Sequence, residues 1–153
     1  MKKMLVFDMD GVLAGLYQEP NWLDDLIAHN PRPYINAKPL VDMVALIKIL
    51  IELKSCGWRI AVTSWLANNS NSNYDSAVRT AKLNWLKSYN FPYDEVHLIK
   101  YGTTKANATR YKAEYQILID DNEEIRKGWN LGCAVNGAEN FLPFLQSLVD
   151  KVE

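Results

Sequence analysis

Lys2-Lys3-Met4-Leu5-Val6-Phe7-Asp8-Met9-Asp10-Gly11-Val12-Leu13 is the stretch on which the fold turns. Its apolar run is too short for a helix and reads as a buried strand. The run ends in two carboxylates two residues apart, where Gly11 permits a sharp turn. In a plain strand Asp8 and Asp10 would project from the same face. A buried parallel strand ends at the sheet edge where α/β proteins bind ligands. Asp and Gly are also common turn formers after strands. The weight of Asp-x-Asp-Gly therefore depends on what the rest of the chain places around it.

Outward from that stretch, short apolar segments alternate with helical ones. Trp58-Arg59-Ile60-Ala61-Val62-Thr63-Ser64 is predicted as a second strand with hydroxyls at its exit. Val96-His97-Leu98-Ile99 is a third, Gln116-Ile117-Leu118-Ile119 a fourth that ends in Asp120-Asp121, and Cys133-Ala134-Val135 a short fifth. A helix over about 39–55 would have Pro39 at its first position and Gly57 as its stop. Its apolar face would be Leu40, Val41, Val44, Ile47, Leu50 and Ile51. Further helices are expected over about 74–88 and 104–113, the latter capped by Thr103 and Thr104. Asn122 caps a short one with Glu123 and Glu124 in its first turn, and 141–152 closes the chain. A short helix over about 22–29 is stopped by Asn30-Pro31-Arg32-Pro33.

This alternation implies an α/β protein with a mostly parallel five-stranded sheet covered on both faces. Right-handed crossovers then bring the strand exits to one edge. No internal repeat is visible, and the Asn-rich run Asn68–Asn73 is too short to separate domains. The expected organisation is one domain over residues 1–153.

At 153 residues, 48% apolar and 23% charged, the composition is that of a globular protein rather than a disordered one. A net charge of −1 argues against a broad nucleic-acid or membrane surface, though not against a nucleotide or a strand end. Cys56 and Cys133 lack ligand-like spacing and are expected as free thiols. The apolar run behind Met1-Lys2-Lys3 ends too soon for a signal peptide, and none is long enough to span a membrane. A cytoplasmic location is expected, and self-association stays open.

The strand exits collect Asp8 and Asp10, Thr63 and Ser64, and Asp120 and Asp121, with Lys100 and Lys105 near the third exit. Two unit charges about 4 Å apart repel by roughly 4 kcal/mol at an effective dielectric near 20. Four converging carboxylates therefore call for a cation or a proton. All-oxygen ligands favour a hard ion, and Mg²⁺ commonly shares its site with a phosphate. Acids alone would suggest a metal store; the added Thr and Lys suggest phosphoryl transfer.

These four elements, in this order across residues 8 to 121, resemble the haloacid dehalogenase (HAD) superfamily. Asp8-Met9-Asp10-Gly11-Val12-Leu13-Ala14, with Thr63-Ser64 later, looks most like its 5′(3′)-deoxyribonucleotidase branch. The resemblance implies a three-layer Rossmann-like fold and a Mg²⁺-dependent phosphatase acting on a phosphorylated small molecule, a nucleotide by the branch. It makes Asp8 the nucleophile that becomes an aspartyl-phosphate, and Asp10 the general acid and then base. Thr63, with Ser64 beside it, would bind the phosphoryl group, and a lysine would neutralise its charge. Lys105 is preferred to Lys100 because the family places this lysine at a helix start. Asp8, Asp10 through its backbone carbonyl, and one of Asp120 and Asp121 would hold Mg²⁺. Members with small substrates usually carry a cap domain, whereas 14–38 here offers a minimal one.

Trp65 either stacks on a base or packs under the Asn-rich loop; Tyr17, Trp22 and Tyr34 either line the cap or pack within it. Trp85, spaced with Val78 and Ala81, reads as core. His29 and His97 are too far apart in sequence to suggest a metal pair. Three other functions compete. A capless site also suits a phosphorylated polynucleotide end or another macromolecule. A receiver-type phosphoacceptor module would have its acidic pair after the first strand rather than the fourth. A non-catalytic binding protein is disfavoured because no motif residue is missing.

Overall fold

The computed structural model describes residues 1–151. The predicted strands form β1 (Lys3–Phe7), β2 (Trp58–Trp65), β3 (Glu95–Ile99), β4 (Tyr115–Asp120) and β5 (Ala134–Asn136). They make one five-stranded sheet in the order β3-β2-β1-β4-β5, with every pairing parallel. The helices are α1 (Trp22–Ile27), α2 (Arg32–Asn36), α3 (Met43–Ser55), α4 (Ser72–Ser88), α5 (Glu123–Lys127) and α6 (Leu142–Asp150). Val152, expected at the end of the closing helix, lies outside the described residues. No described helix is long and apolar enough to cross a membrane.

Strand alternation divides the core. Leu5, Phe7, Ile60, Val62, Ile117 and Ile119 face one way, against Leu46, Leu50 and Leu53 of α3, Trp85 and Leu86 of α4 and Leu145 of α6. Met4, Val6, Ala61 and Leu118 face the other way, against Trp129, Ile125 of α5, and Ala106, Tyr111 and Ala113. Each such aliphatic side chain, fully buried, contributes about 1.5–3 kcal/mol, so apolar burial holds the strand exits in place. Trp85 is core as expected, and its Nε1 donates to the Ala37 carbonyl at 2.7 Å.

Three expectations are corrected. No helix forms over 104–113. The chain from β3 to β4 crosses about three strand spacings of roughly 4.8 Å as irregular backbone. Thr103 does not cap; its hydroxyl donates to the Lys100 carbonyl at 2.6 Å. The Glu95 carboxylate takes the amides of Arg110 at 2.7 Å and Tyr111 at 3.0 Å, which competes with helix formation.

The helix expected from Pro39 begins at Met43, where Asp42 caps it by accepting from the Ala45 amide at 3.1 Å. Pro39 instead bridges Ala14, while the Leu40 amide donates to the Leu13 carbonyl at 2.9 Å. The helix buries Met43, Leu46, Ile49, Leu50 and Leu53, so of the expected face only Leu50 is buried. Val41 and Ile47 are half-buried, and Leu40, Val44 and Ile51 are exposed. A helix apolar nearly all round gives no periodic cue to its inward face.

The 14–38 segment carries more structure than one helix. A 3₁₀ turn at Leu16–Gln18 and α1 are followed by α2, which starts at the expected stop, with Pro31 as N-cap and Pro33 in its first turn. Asp25 ties the two helices together by accepting from Arg32 at 2.7 Å.

Candidate active site

Phe7 is in register with Val62 on one side and Ile119 on the other, so Asp8, Thr63 and Asp120 come next, side by side at the strand exits. Continued alternation directs them to the face of Met4, Val6, Ala61 and Leu118, which the irregular crossover covers. That crossover delivers Lys105. Its buried ammonium donates to Asp8 Oδ1 at 3.0 Å and Asp120 Oδ2 at 2.8 Å. Asp121 completes the cluster: oxygens of Asp8, Asp120 and Asp121 lie within 4.8 Å of one another. Gly11, at φ +82°, makes the turn beside them, and a Cβ there would run into the Asp121 carboxylate. On the far side Asp120 Oδ1 accepts from the Asn122 amide at 2.9 Å, and Asn122 caps α5.

Burial, reinforced by Asp120 and Asp10, holds the Asp8 carboxyl well above its usual range against the pull of Lys105. Burial also raises Asp121, which has Asp120 beside it. Burial alone would lower Lys105, but Asp8 and Asp120 outweigh it and raise it. Tyr17, above the acids, is pushed up by burial and then by Asp10, Asp8 and Asp121. One ammonium thus faces three convergent carboxylates, and the surplus negative charge with an all-oxygen donor set fits a hard divalent cation. Thr63 Oγ1 is buried with no partner among the described residues, which leaves a hydroxyl beside Asp8 without a hydrogen bond.

Asp10 stands apart from the three converging acids. Its Oδ2 accepts at 2.8 Å from Lys82 of α4, which also donates at 2.8 Å to Ser64 Oγ and to the Trp65 carbonyl. Lys82 is fully buried, with its three protons taken. Ser64, expected at a phosphate, is therefore engaged by this lysine. Sequence reading missed Lys82, although one signal was available: it lies on the buried stripe of Tyr74, Val78, Ala81 and Trp85. A lysine on a core-facing stripe requires buried partners. Lys100 is exposed and lies outside the acid cluster.

A cavity of about 450 Å³ opens over Asp8, Asp10, Lys105, Asp120 and Asp121. Its opposite wall is aromatic and aliphatic, from Leu16, Tyr17, Trp22, Tyr34, Trp65 and Tyr101. Tyr17 meets Trp22 edge-on with centroids 5.0 Å apart, and Trp65 tilts against Tyr101 at 5.0 Å. Trp65 packs on the Lys105 segment rather than under the Asn-rich loop: its Nε1 donates to the Thr103 carbonyl at 2.8 Å, and Lys105 Nζ sits 5.4 Å from its ring. The Asn-rich loop is held by His29 instead, through Asn69 and Asn71.

No family profile and no curated protein sequence matches the chain. Solved structures do. The D,D-heptose 1,7-bisphosphate phosphatase of Burkholderia thailandensis superposes with a TM-score of 0.57 at 10% identity, covering 97% of this chain and 99% of that one. The corresponding enzyme of B. bronchiseptica, solved with magnesium and phosphate, superposes with a TM-score of 0.57 at 14% identity and the same coverage. At such identities the likeness establishes a shared fold.

Proposed function

We propose that this chain is a Mg²⁺-dependent phosphomonoester hydrolase acting on nucleotides through an aspartyl-phosphate on Asp8. The observation that carries the reading is Lys105 bridging Asp8 and Asp120, with Asp121 beside them and Asp10 held separately at the same cavity. The fold shared with phosphatases, one of them holding magnesium and phosphate, supports it. So does the wording of the Asp8–Ala14 motif. The aromatic wall suits a nucleobase better than a bare sugar.

Asp8, Asp120 and Asp121, with the Asp10 carbonyl, would hold the metal ion, whose charge would offset that of the phosphoryl oxygens. An Asp8 carboxylate oxygen attacks phosphorus while the bond to the ester oxygen breaks. That oxygen leaves with a proton from Asp10. Asp10 then takes a proton from water as the water oxygen attacks phosphorus, the bond to Asp8 breaks, and phosphate departs. Lys82 fixes one Asp10 oxygen and leaves the other, which accepts from no described residue, to the substrate. Lys105 supplies positive charge at the transferring group, and the Thr63 hydroxyl donates to it.

Phosphate release from a panel of mononucleotides and sugar phosphates, with Mg²⁺ and with EDTA, tests this. Metal-dependent release with nucleotides preferred is expected. Release indifferent to EDTA, or none from any substrate, would refute it.

A further inference from the structure

A second groove, of about 340 Å³, adjoins the reaction cavity, and the two share Leu66, Ala67, Asn68 and Tyr101 as a common wall. Within the reaction cavity a ligand meets one lysine, Lys105, already bridging two acids; Lys82 is sealed behind it. The adjoining groove is different. Arg79 of α4 and Lys100, just past β3, both line it, both are exposed, and neither forms an ion pair among the described residues. Asp75 is the single acid on its lining, so cations outnumber acids there two to one, on a chain whose net charge is −1.

The order across this surface is acid cluster, the shared wall with Tyr101, then free cations. Guanidinium and ammonium groups without partners at a groove are phosphate ligands in waiting. We propose that Arg79 and Lys100 form a second phosphate subsite, and that the substrate is a nucleotide bearing another phosphate group besides the one removed. That group is either a free phosphate, as in a nucleoside bisphosphate, or the phosphodiester of an oligonucleotide end. The proposal rests on the phosphatase reading above and extends it to substrate class. The uncleaved phosphate lies against the cations while the base packs on Tyr101, the aromatic side chain of the shared wall.

The test measures kcat/KM with Mg²⁺ for a deoxynucleoside 5′-monophosphate, a deoxynucleoside 3′,5′-bisphosphate and a 5′-phosphorylated dinucleotide. Wild type is compared with the double variant Arg79→Ala/Lys100→Ala at low and high salt. Wild type should favour at least one two-phosphate substrate by roughly tenfold or more, mainly through KM, as a charge-assisted contact would give. The preference should shrink with salt and fall toward one in the variant. Preference for the bisphosphate alone assigns a free phosphate; for the dinucleotide alone, a phosphodiester. Equal efficiency on all three, or a preference the variant retains, overturns the subsite while leaving the phosphatase reading intact. No metal-dependent release from any of the three overturns both.

Discussion

Asp8 and Asp10 are two residues apart in the chain but have different partners, one a lysine shared with a second acid, the other a lysine shared with a hydroxyl and a carbonyl. Replacing Asp8 by Asn keeps the shape and removes the proposed nucleophile, so turnover should fall by roughly a thousandfold or more with the fold retained. Near-normal phosphate release from that variant would rule out the mechanism. The two lysines should respond differently. Lys105→Met should lower turnover by roughly a hundred- to a thousandfold at saturating Mg²⁺. Lys82→Met should first cost stability, about 3 kcal/mol by urea denaturation, because it strands Asp10, Ser64 Oγ and a carbonyl in a buried place. A Lys82→Met protein as stable as wild type would show that these groups find water instead. The convergence of Asp8, Asp120 and Asp121 was legible in sequence because each ends or follows a strand. Lys82 was not, because its partners lie 17 to 72 positions away and only the stripe of α4 hints at them. Lys105 itself reaches the acids without the helix start used to select it.

At the scale of elements, the crossover between β3 and β4 explains how Lys105 is held. Glu95 accepts two of its amides and a contact from His97 at 2.8 Å. Burial works against the Glu95 charge, but those bonds prevail and hold its carboxyl below the usual 4.5. A lowered folded pKa means that the stabilisation is present above the ordinary glutamate range and is lost as pH falls through the folded value. The stability gap between wild type and Glu95→Gln should therefore be largest near neutrality and close in acid, as urea midpoints across pH would show. A gap that widened in acid would reverse the assignment. Sequence periodicity located the strands to within a residue or two, since their apolar runs are short and bounded. It misplaced the inward face of α3, where Val44 and Ile51 look as core-like as Leu46 and Leu53, and only α6 and the sheet decide between them.

Across the whole molecule, the parallel sheet and its single edge of exits were readable from the alternation of segments. The strand order that sets β1 between β2 and β4 was not, because pairing partners leave no mark on local pattern. That order brings Asp8 between Thr63 and Asp120, and it makes the acid cluster a shared burden on the fold. Mg²⁺ at a hundredfold excess over Kd should add about 2.7 kcal/mol, a melting shift of roughly 5–10 °C for a chain of this size. The double variant Asp120→Asn/Asp121→Asn should lose most of that shift, and a wild-type melting point indifferent to millimolar Mg²⁺ would count against a formed site. The irregular crossover also has a consequence in time. β1 is bonded on both sides, to β2 and β4, whereas few amides between 101 and 113 have a main-chain partner. Deuterium should enter the Lys105 segment by local opening, long before it reaches β1. The Asp8 amide, bonded to the Ile119 carbonyl, should then exchange only when the sheet opens, while the backbone that carries Lys105 exchanges on a much faster clock.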